Sequence, residues 1–156
     1  MRFKGLVFAA AFAGLGACGG GDKAGAGDTT GGTASPAGGA VTAAPATGTV
    51  HEVRMLGDER GYRYDPVDIT IKQGDAIKWI MISGAPHNVA FTNVAADARA
   101  QLSANMPNQL SDLSSPMLLN LNESYEVSFA GVKPGKYEYI CTPHLANNMR
   151  ASVTVQ

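Results

Sequence analysis

The chain has 156 residues, a formal net charge of −1 and only 16% charged side chains. That length suits one domain with additional segments. The charge balance excludes an extended basic surface, so no nucleic-acid partner is expected, and it offers no charge excess to attract an oppositely charged one.

The first seventeen residues read as a signal peptide. Arg2 and Lys4 make a positive start, an apolar run follows from Leu6 to Leu15, and the small residues Gly16 and Ala17 come next. The run is too short to span a bilayer, which takes about 20 apolar residues. Leu15-Gly16-Ala17-Cys18 resembles the bacterial lipobox, in which the cysteine becomes the first mature residue and carries lipid. The plainer reading is an ordinary cleavage site followed by an incidental cysteine. Lipidation of Cys18 is the expectation, and it places the protein outside the cytoplasm, in the periplasm or at the cell surface, held to a membrane. Each acyl CH₂ buried in lipid contributes about 0.8 kcal/mol.

Residues 19–48 are mostly Gly, Ala and Thr, with no aromatic residue and Val41 as the only large aliphatic. Such a composition buries too little apolar surface to offset its ordering entropy. Residues 18–48 are therefore read as a flexible tether, with a mean reach of roughly 30 Å. The folded part is 49–156, long enough for a real core.

Within it the periodicity is two. Val53 and Met55 alternate with polar neighbours, as do Ile69 and Ile71, then Ile77, Trp79 and Met81. Ala95 to Met106, ended by Pro107, is the one helical stretch. Alternation resumes at Tyr125, Val127 and Phe129, at Tyr137, Tyr139 and Cys141, and at Val153 and Val155. Alternation marks strands with one buried face. Turn signals separate them at 72–75, 83–86 and 133–136. Short strands so spaced predict an all-β sandwich or barrel. The methionines Met55, Met81, Met106 and Met117 read as packing, Trp79 as core, and His51 as a strand residue with no metal role.

The chemistry concentrates in Tyr139-Ile140-Cys141-Thr142-Pro143-His144-Leu145-Ala146-Asn147-Asn148-Met149. A thiolate, an imidazole and a thioether share one loop between two strands, and a second imidazole, His87, lies upstream in Ala85-Pro86-His87-Asn88-Val89. Two His and one Cys with a weak axial Met make a blue-copper electron-transfer site, so His87, Cys141, His144 and Met149 are the expected ligands of one copper ion. Zinc is disfavoured because it rarely takes a thioether, and no acid or base residue accompanies the set. A disulfide between Cys18 and Cys141 is not expected, because one stands at the lipobox and the other among ligands.

These residues resemble the plastocyanin and pseudoazurin branch of the cupredoxins over 61–156. Tyr64-Asp65-Pro66 with Ile69-Thr70-Ile71-Lys72-Gln73-Gly74-Asp75 resembles the early strands. Pro86-His87-Asn88-Val89 is similar to the first-ligand motif, and Pro134-Gly135-Lys136-Tyr137-Glu138-Tyr139 leads into the ligand loop as in that branch. The resemblance implies a Greek-key β-sandwich of about eight strands with type 1 copper near one end. It also implies that Asn88 braces the cysteine loop near Thr142. The chain departs at Ile140, where photosynthetic plastocyanins carry Tyr, and in a long segment, 92–116, to which the sequence assigns no role.

The expected function is one-electron transfer between transient redox partners by a monomer. Electrons would pass through an exposed edge of His144 inside an apolar docking patch of Pro86, Pro143 and Leu145, with Ala146 at its margin. A copper carrier or storage protein is the alternative. A copper enzyme would need a second copper centre, for which three His leave no room.

Overall fold

The computed structural model describes residues 41–156. The expected signal peptide at 1–17, Cys18 and most of the expected tether lie outside the described residues. The strands are β1 (Val50–Asp58), β2 (Gly61–Asp65), β3 (Asp68–Ile71), β4 (Ala76–Met81), β5 (Ala90–Thr92), β6 (Ser124–Ser128), β7 (Gly135–Ile140) and β8 (Arg150–Val155), with one helix, α1 (Ala96–Asn105), between β5 and β6. They form two four-stranded sheets, ordered β2-β1-β4-β6 and β3-β8-β7-β5. β1 lies parallel to β4 and β3 parallel to β8, while the other pairs are antiparallel. The chain therefore passes between sheets rather than meandering, and the expected all-β sandwich of eight strands is what forms.

The alternating residues face each other across the sandwich. Val53, Met55, Ile77, Trp79, Val127, Phe129, Tyr139 and Val153 are all sealed from solvent. Around Trp79 the rings pack edge to face: its centroid lies 5.4 Å from that of Tyr139 and 6.1 Å from that of Phe91. Aromatic rings favour this geometry because the positive edge of one meets the negative face of the next.

Strand direction gives the molecule two poles. β4 and β7 both end toward His87 and Cys141. The opposite pole holds the β3–β4 turn and the start of β1. There Asp75, 6% exposed, accepts hydrogen bonds from the Thr49 and Lys72 N–H groups and from His51 Nε2. The Lys72 N–H, His51 and the Thr49 N–H together hold its carboxyl down to about 2. A carboxylate depressed in the folded chain stabilises it above the unfolded value near 4, and that contribution disappears as pH falls toward 2. Asp75→Asn should therefore cost about 1–3 kcal/mol at pH 7 and flatten the acid limb, which urea unfolding at pH 7 and pH 3 would measure. Equal losses at both pH values would contradict this role.

The last residues of the tether are part of this pole. Thr47 and Gly48 both donate N–H groups to Gly74 O at 2.9 Å, Ala44 N–H donates to Asn105 Oδ1 at 2.8 Å, and Gln101 Nε2 donates to Thr42 O at 3.0 Å. Composition could not reveal this strap, because it is held largely through backbone groups that any residue carries.

The 92–116 segment also gains a structural role. Leu102, Met106 and Leu113 enter the core, while Leu110 stays exposed. The chain from Leu113 to Leu118 then runs beside the first-histidine segment. Phe91 N–H donates to Leu113 O, Ser115 N–H to Val89 O, and His87 and Leu118 exchange two backbone bonds at 3.1 and 2.7 Å. Val89 N–H is taken by the Ser115 hydroxyl at 2.9 Å. This clasp fixes the backbone on both sides of Asn88.

Candidate metal centre

Cys141 follows the last residue of β7, and Arg150 opens β8. Between them the loop closes on itself. His144 N–H donates to Cys141 O (3.1 Å), Met149 N–H to His144 O (3.2 Å) and Cys141 N–H to Met149 O (3.1 Å). Residues Thr142–Asn147 make a tight 3₁₀ turn with Pro143 near its start, and Asn148 ends it with φ +57°. Asparagine is among the few side chains that tolerate this left-handed conformation, which turns the chain back into β8.

Three of the four predicted donors, His87, Cys141 and His144, come together here. Cys141 Sγ lies 3.5 Å from His87 Nδ1 and 3.4 Å from His144 Nδ1. Together with these nitrogens it forms a group whose ligand atoms all lie within 4.8 Å of one another. Metal bonds of about 2.0 Å to nitrogen and about 2.3 Å to sulfur, opened to about 120°, separate the two atoms by about 3.7 Å. The observed spacings lie within about 0.3 Å of that value, so one ion fits between sulfur and both nitrogens with little movement. The fourth expected donor, Met149, is completely buried in the same closed loop. His51 lies at the other pole, as a strand residue paired with Asp75.

The imidazoles are set up as ligands. Burial lowers the basicity of both, and for His144 the neighbouring His87 adds to the effect. They are accordingly neutral near neutral pH. His87 Nε2 lies 2.7 Å from Ser83 O, an acceptor only, so this nitrogen carries the proton and donates. The Nδ1 lone pair then faces the cysteine, the arrangement by which an outer hydrogen bond fixes a metal-binding tautomer. Burial pushes the Cys141 thiol up, against two backbone contacts that pull it down. A metal ion binding there therefore releases a proton from sulfur.

The expected brace is present. Asn88 is 1% exposed. Its Oδ1 accepts the Thr142 N–H at 2.7 Å, and its Nδ2 donates to the hydroxyls of Thr142 (3.2 Å) and Ser114 (3.1 Å). The Tyr64 hydroxyl donates to Asn88 O at 2.6 Å. One side chain thus ties the first-histidine segment to the residue after the cysteine.

The His144 edge differs from expectation. The residue is 8% exposed rather than open. The ring of Tyr62, on β2, lies on it with centroids 3.6 Å apart and planes 13° from parallel. Pro86, Pro143 and Ala146 are exposed, and Leu145 is 41% exposed. Two residues escaped the sequence reading: Tyr62, and Ser83 as the hydrogen-bond partner of His87. Tyr62 carried a signal, since it stands two residues from core Tyr64 and shares its face of the strand.

Comparison with known proteins agrees with this geometry. The sequence profile for copper-binding proteins of the plastocyanin/azurin family matches residues 51–156. Plastocyanin of Synechococcus sp. (strain JA-2-3B'a(2-13)) is 34% identical over 111 residues, 71% of this chain and 76% of the relative. Amicyanin-alpha of Methylorubrum extorquens is 32% identical over 105 residues, 67% of this chain and 71% of the relative. The solved structure of oxidised plastocyanin from Dryopteris crassirhizoma aligns with 68% of this chain and 100% of its own, at 24% identity and a TM-score of 0.52, a likeness of fold.

Proposed function

The chain belongs to the plastocyanin/azurin family of copper-binding proteins, and from this we infer that it is a one-electron carrier whose single type 1 copper is held by His87, Cys141, His144 and Met149. The observation that carries the reading is the convergence of Cys141 Sγ with two imidazole Nδ1 atoms at 3.4 and 3.5 Å. Copper bound there supplies one-electron chemistry by alternating between Cu(II) and Cu(I).

The chain's own residues make that exchange easy. Asn88, Ser83 and the closed 141–149 loop hold the donors without the metal's help, so little of the protein has to move when the electron arrives. The Cys141 and Met149 side chains are sealed, which keeps water from the thiolate. The same burial favours an electron carrier over a copper carrier, which would need an accessible, exchangeable site. Addition of one equivalent of Cu(II) to the domain should give an intense blue absorption and a narrow copper hyperfine splitting. A pale, ordinary Cu(II) spectrum in folded protein would overturn the reading.

The route to partners is the apolar rim of the copper pole. Segments 83–88, 114–122 and 142–149 contain no charged residue. Pro86, Pro143 and Leu145 are exposed and flank the two histidines in sequence, which supports the reading. Such a surface suits brief encounters with other redox proteins and dissociates easily. Leu145→Asp should slow electron self-exchange between copies roughly tenfold while leaving the copper spectrum unchanged, because a charge is then forced against an uncharged patch. An unchanged self-exchange rate would remove this patch from the pathway.

Export by residues 1–17 and attachment through Cys18 complete the proposal. Its support is the order of charged, apolar and small residues before Cys18, and among the described residues no helix is long and apolar enough to cross a membrane. A fatty-acyl label on Cys18 tests the attachment.

A further inference from the structure

The two histidines of the centre are restrained differently. His87 is pinned at its outer nitrogen by Ser83 O. His144 Nε2 has no hydrogen-bond partner among the described residues; what lies against its ring is Tyr62, nearly parallel, at 3.6 Å. Tyr62 also meets His87 edge-on, with centroids 6.1 Å apart.

This contact is built into the fold from several directions. In the β1–β2 hairpin Gly57 pairs with Tyr62. A Cβ on Gly57 would stand 2.7 Å from Tyr62 Cε1 and 2.8 Å from Gly84 Cα. A Cβ on Gly84, at φ +76°, would stand 2.5 Å from Gly57 Cα and 3.1 Å from Tyr62 Cε1. Two glycines back to back thus leave a slot that the tyrosine ring fills. The hairpin is locked beyond the slot by two hydrogen bonds from Arg63 to the Asp58 carboxylate, at 2.7 and 2.8 Å. It is also tied to the other ligand: Gly57 N–H donates to the Ser83 hydroxyl at 3.1 Å, and the carbonyl of that serine holds His87.

We propose that Tyr62 is a positioning residue that clamps the His144 imidazole through ring stacking and keeps it in place in both oxidation states. This rests on the type 1 copper reading. Reduction lowers the charge on the metal and weakens its hold on a neutral nitrogen donor. The ligand free to respond is the one without an outer hydrogen bond, His144. A stacked ring resists tilting and swinging of the imidazole while leaving its Nδ1 directed at the metal. The clamp thereby keeps the rearrangement on electron transfer small. It requires the ring of Tyr62 but not its hydroxyl.

NMR of the Cu(I) protein tests this directly. In the wild type the His144 ring protons should be sharp and shifted upfield by the tyrosine ring current. Tyr62→Phe should preserve both features. Tyr62→Leu should remove the upfield shift, broaden the His144 signals and slow electron self-exchange by about two- to tenfold, the range that one stacking contact represents. The His87 signals should stay sharp in every variant, since their restraint comes from Ser83, and only the small ring-current shift from the edge-on Tyr62 should go in the leucine variant. Sharp, unshifted His144 signals in the wild type would overturn the clamp without any variant, so the test survives if Tyr62→Leu fails to fold. A leucine variant with wild-type line widths and rate would overturn it too, as would a phenylalanine variant that behaves like leucine. If all forms are blue and His144 is indifferent to position 62, only the clamp is lost. If the wild type is not blue, the copper reading is lost with it.

Discussion

Cys141→Ser should abolish the blue absorption and lower copper affinity by several orders of magnitude, the largest effect of any single substitution at this centre. The colour arises from electron density moving from the thiolate to Cu(II), and a serine hydroxyl is neither anionic at neutral pH nor soft. The fold should survive, because Ser is slightly smaller than Cys and the loop is closed by backbone bonds of residues 141, 144 and 149 rather than by sulfur. Visible spectra, EPR and a copper titration of the variant measure this. Retained blue colour would remove Cys141 from the metal. Met149→Gln provides the contrast. In the proposed copper site a thioether would be a weak donor that adjusts the potential. An amide oxygen is harder and favours Cu(II), so this variant should stay coloured, keep its copper and show a lower reduction potential by voltammetry. A potential equal to that of the wild type would mean that Met149 is not axial.

The second large effect should come from Asn88→Ala. Removing this amide strips the Thr142 N–H of its acceptor, with both hydroxyls also losing their partner. A buried donor left without an acceptor costs about 1–3 kcal/mol, and the lost bonds and the small cavity raise the total to about 2–4 kcal/mol. Because the amide joins the His87 segment to the Cys141 loop, the loss should also reach the metal. The copper-loaded variant should show a shifted visible spectrum and faster loss of copper to a chelator. Urea unfolding of the copper-free form isolates the structural part. A variant that loses stability but keeps the wild-type spectrum would show that Asn88 supports the fold alone.

Why some of this was legible in the sequence and some was not follows from which residues carry the information. Side-chain alternation specifies which face of a strand is buried, so Val53, Ile77, Trp79, Val127 and Tyr139 could be placed in the core without coordinates. The expected donors stood out because their chemistry is rare in combination: Cys141, His144 and Met149 fall on one loop, and His87 precedes an Asn; the structure brings His87, Cys141 and His144 together. What could not be read were contacts made by backbone or by shape. Ser83 orients His87 through its carbonyl, an atom that every residue has. The Leu113–Leu118 clasp beside His87 is largely backbone pairing without regular strand periodicity. Tyr62 reaches His144 through space left by Gly57 and Gly84, whose proximity is a product of sheet pairing and not of sequence distance. The strap at 42–48 shows the limit of composition: Ala44 and Thr47 cannot build a core, yet their N–H groups dock well.

The position of that strap bears on how the carrier faces its surroundings. β1 covers nine residues, about 30 Å of extended chain. At its start lie the strap and the Asp75 turn; at its end lies the hairpin that presents Tyr62 to the copper pole. The pole at which residues 42–48 dock is thus the one remote from the metal centre, and the length of β1 separates the two. Contacts made by the backbone at the start of β1 therefore leave the other end of the strand, where an electron would enter or leave, unobstructed.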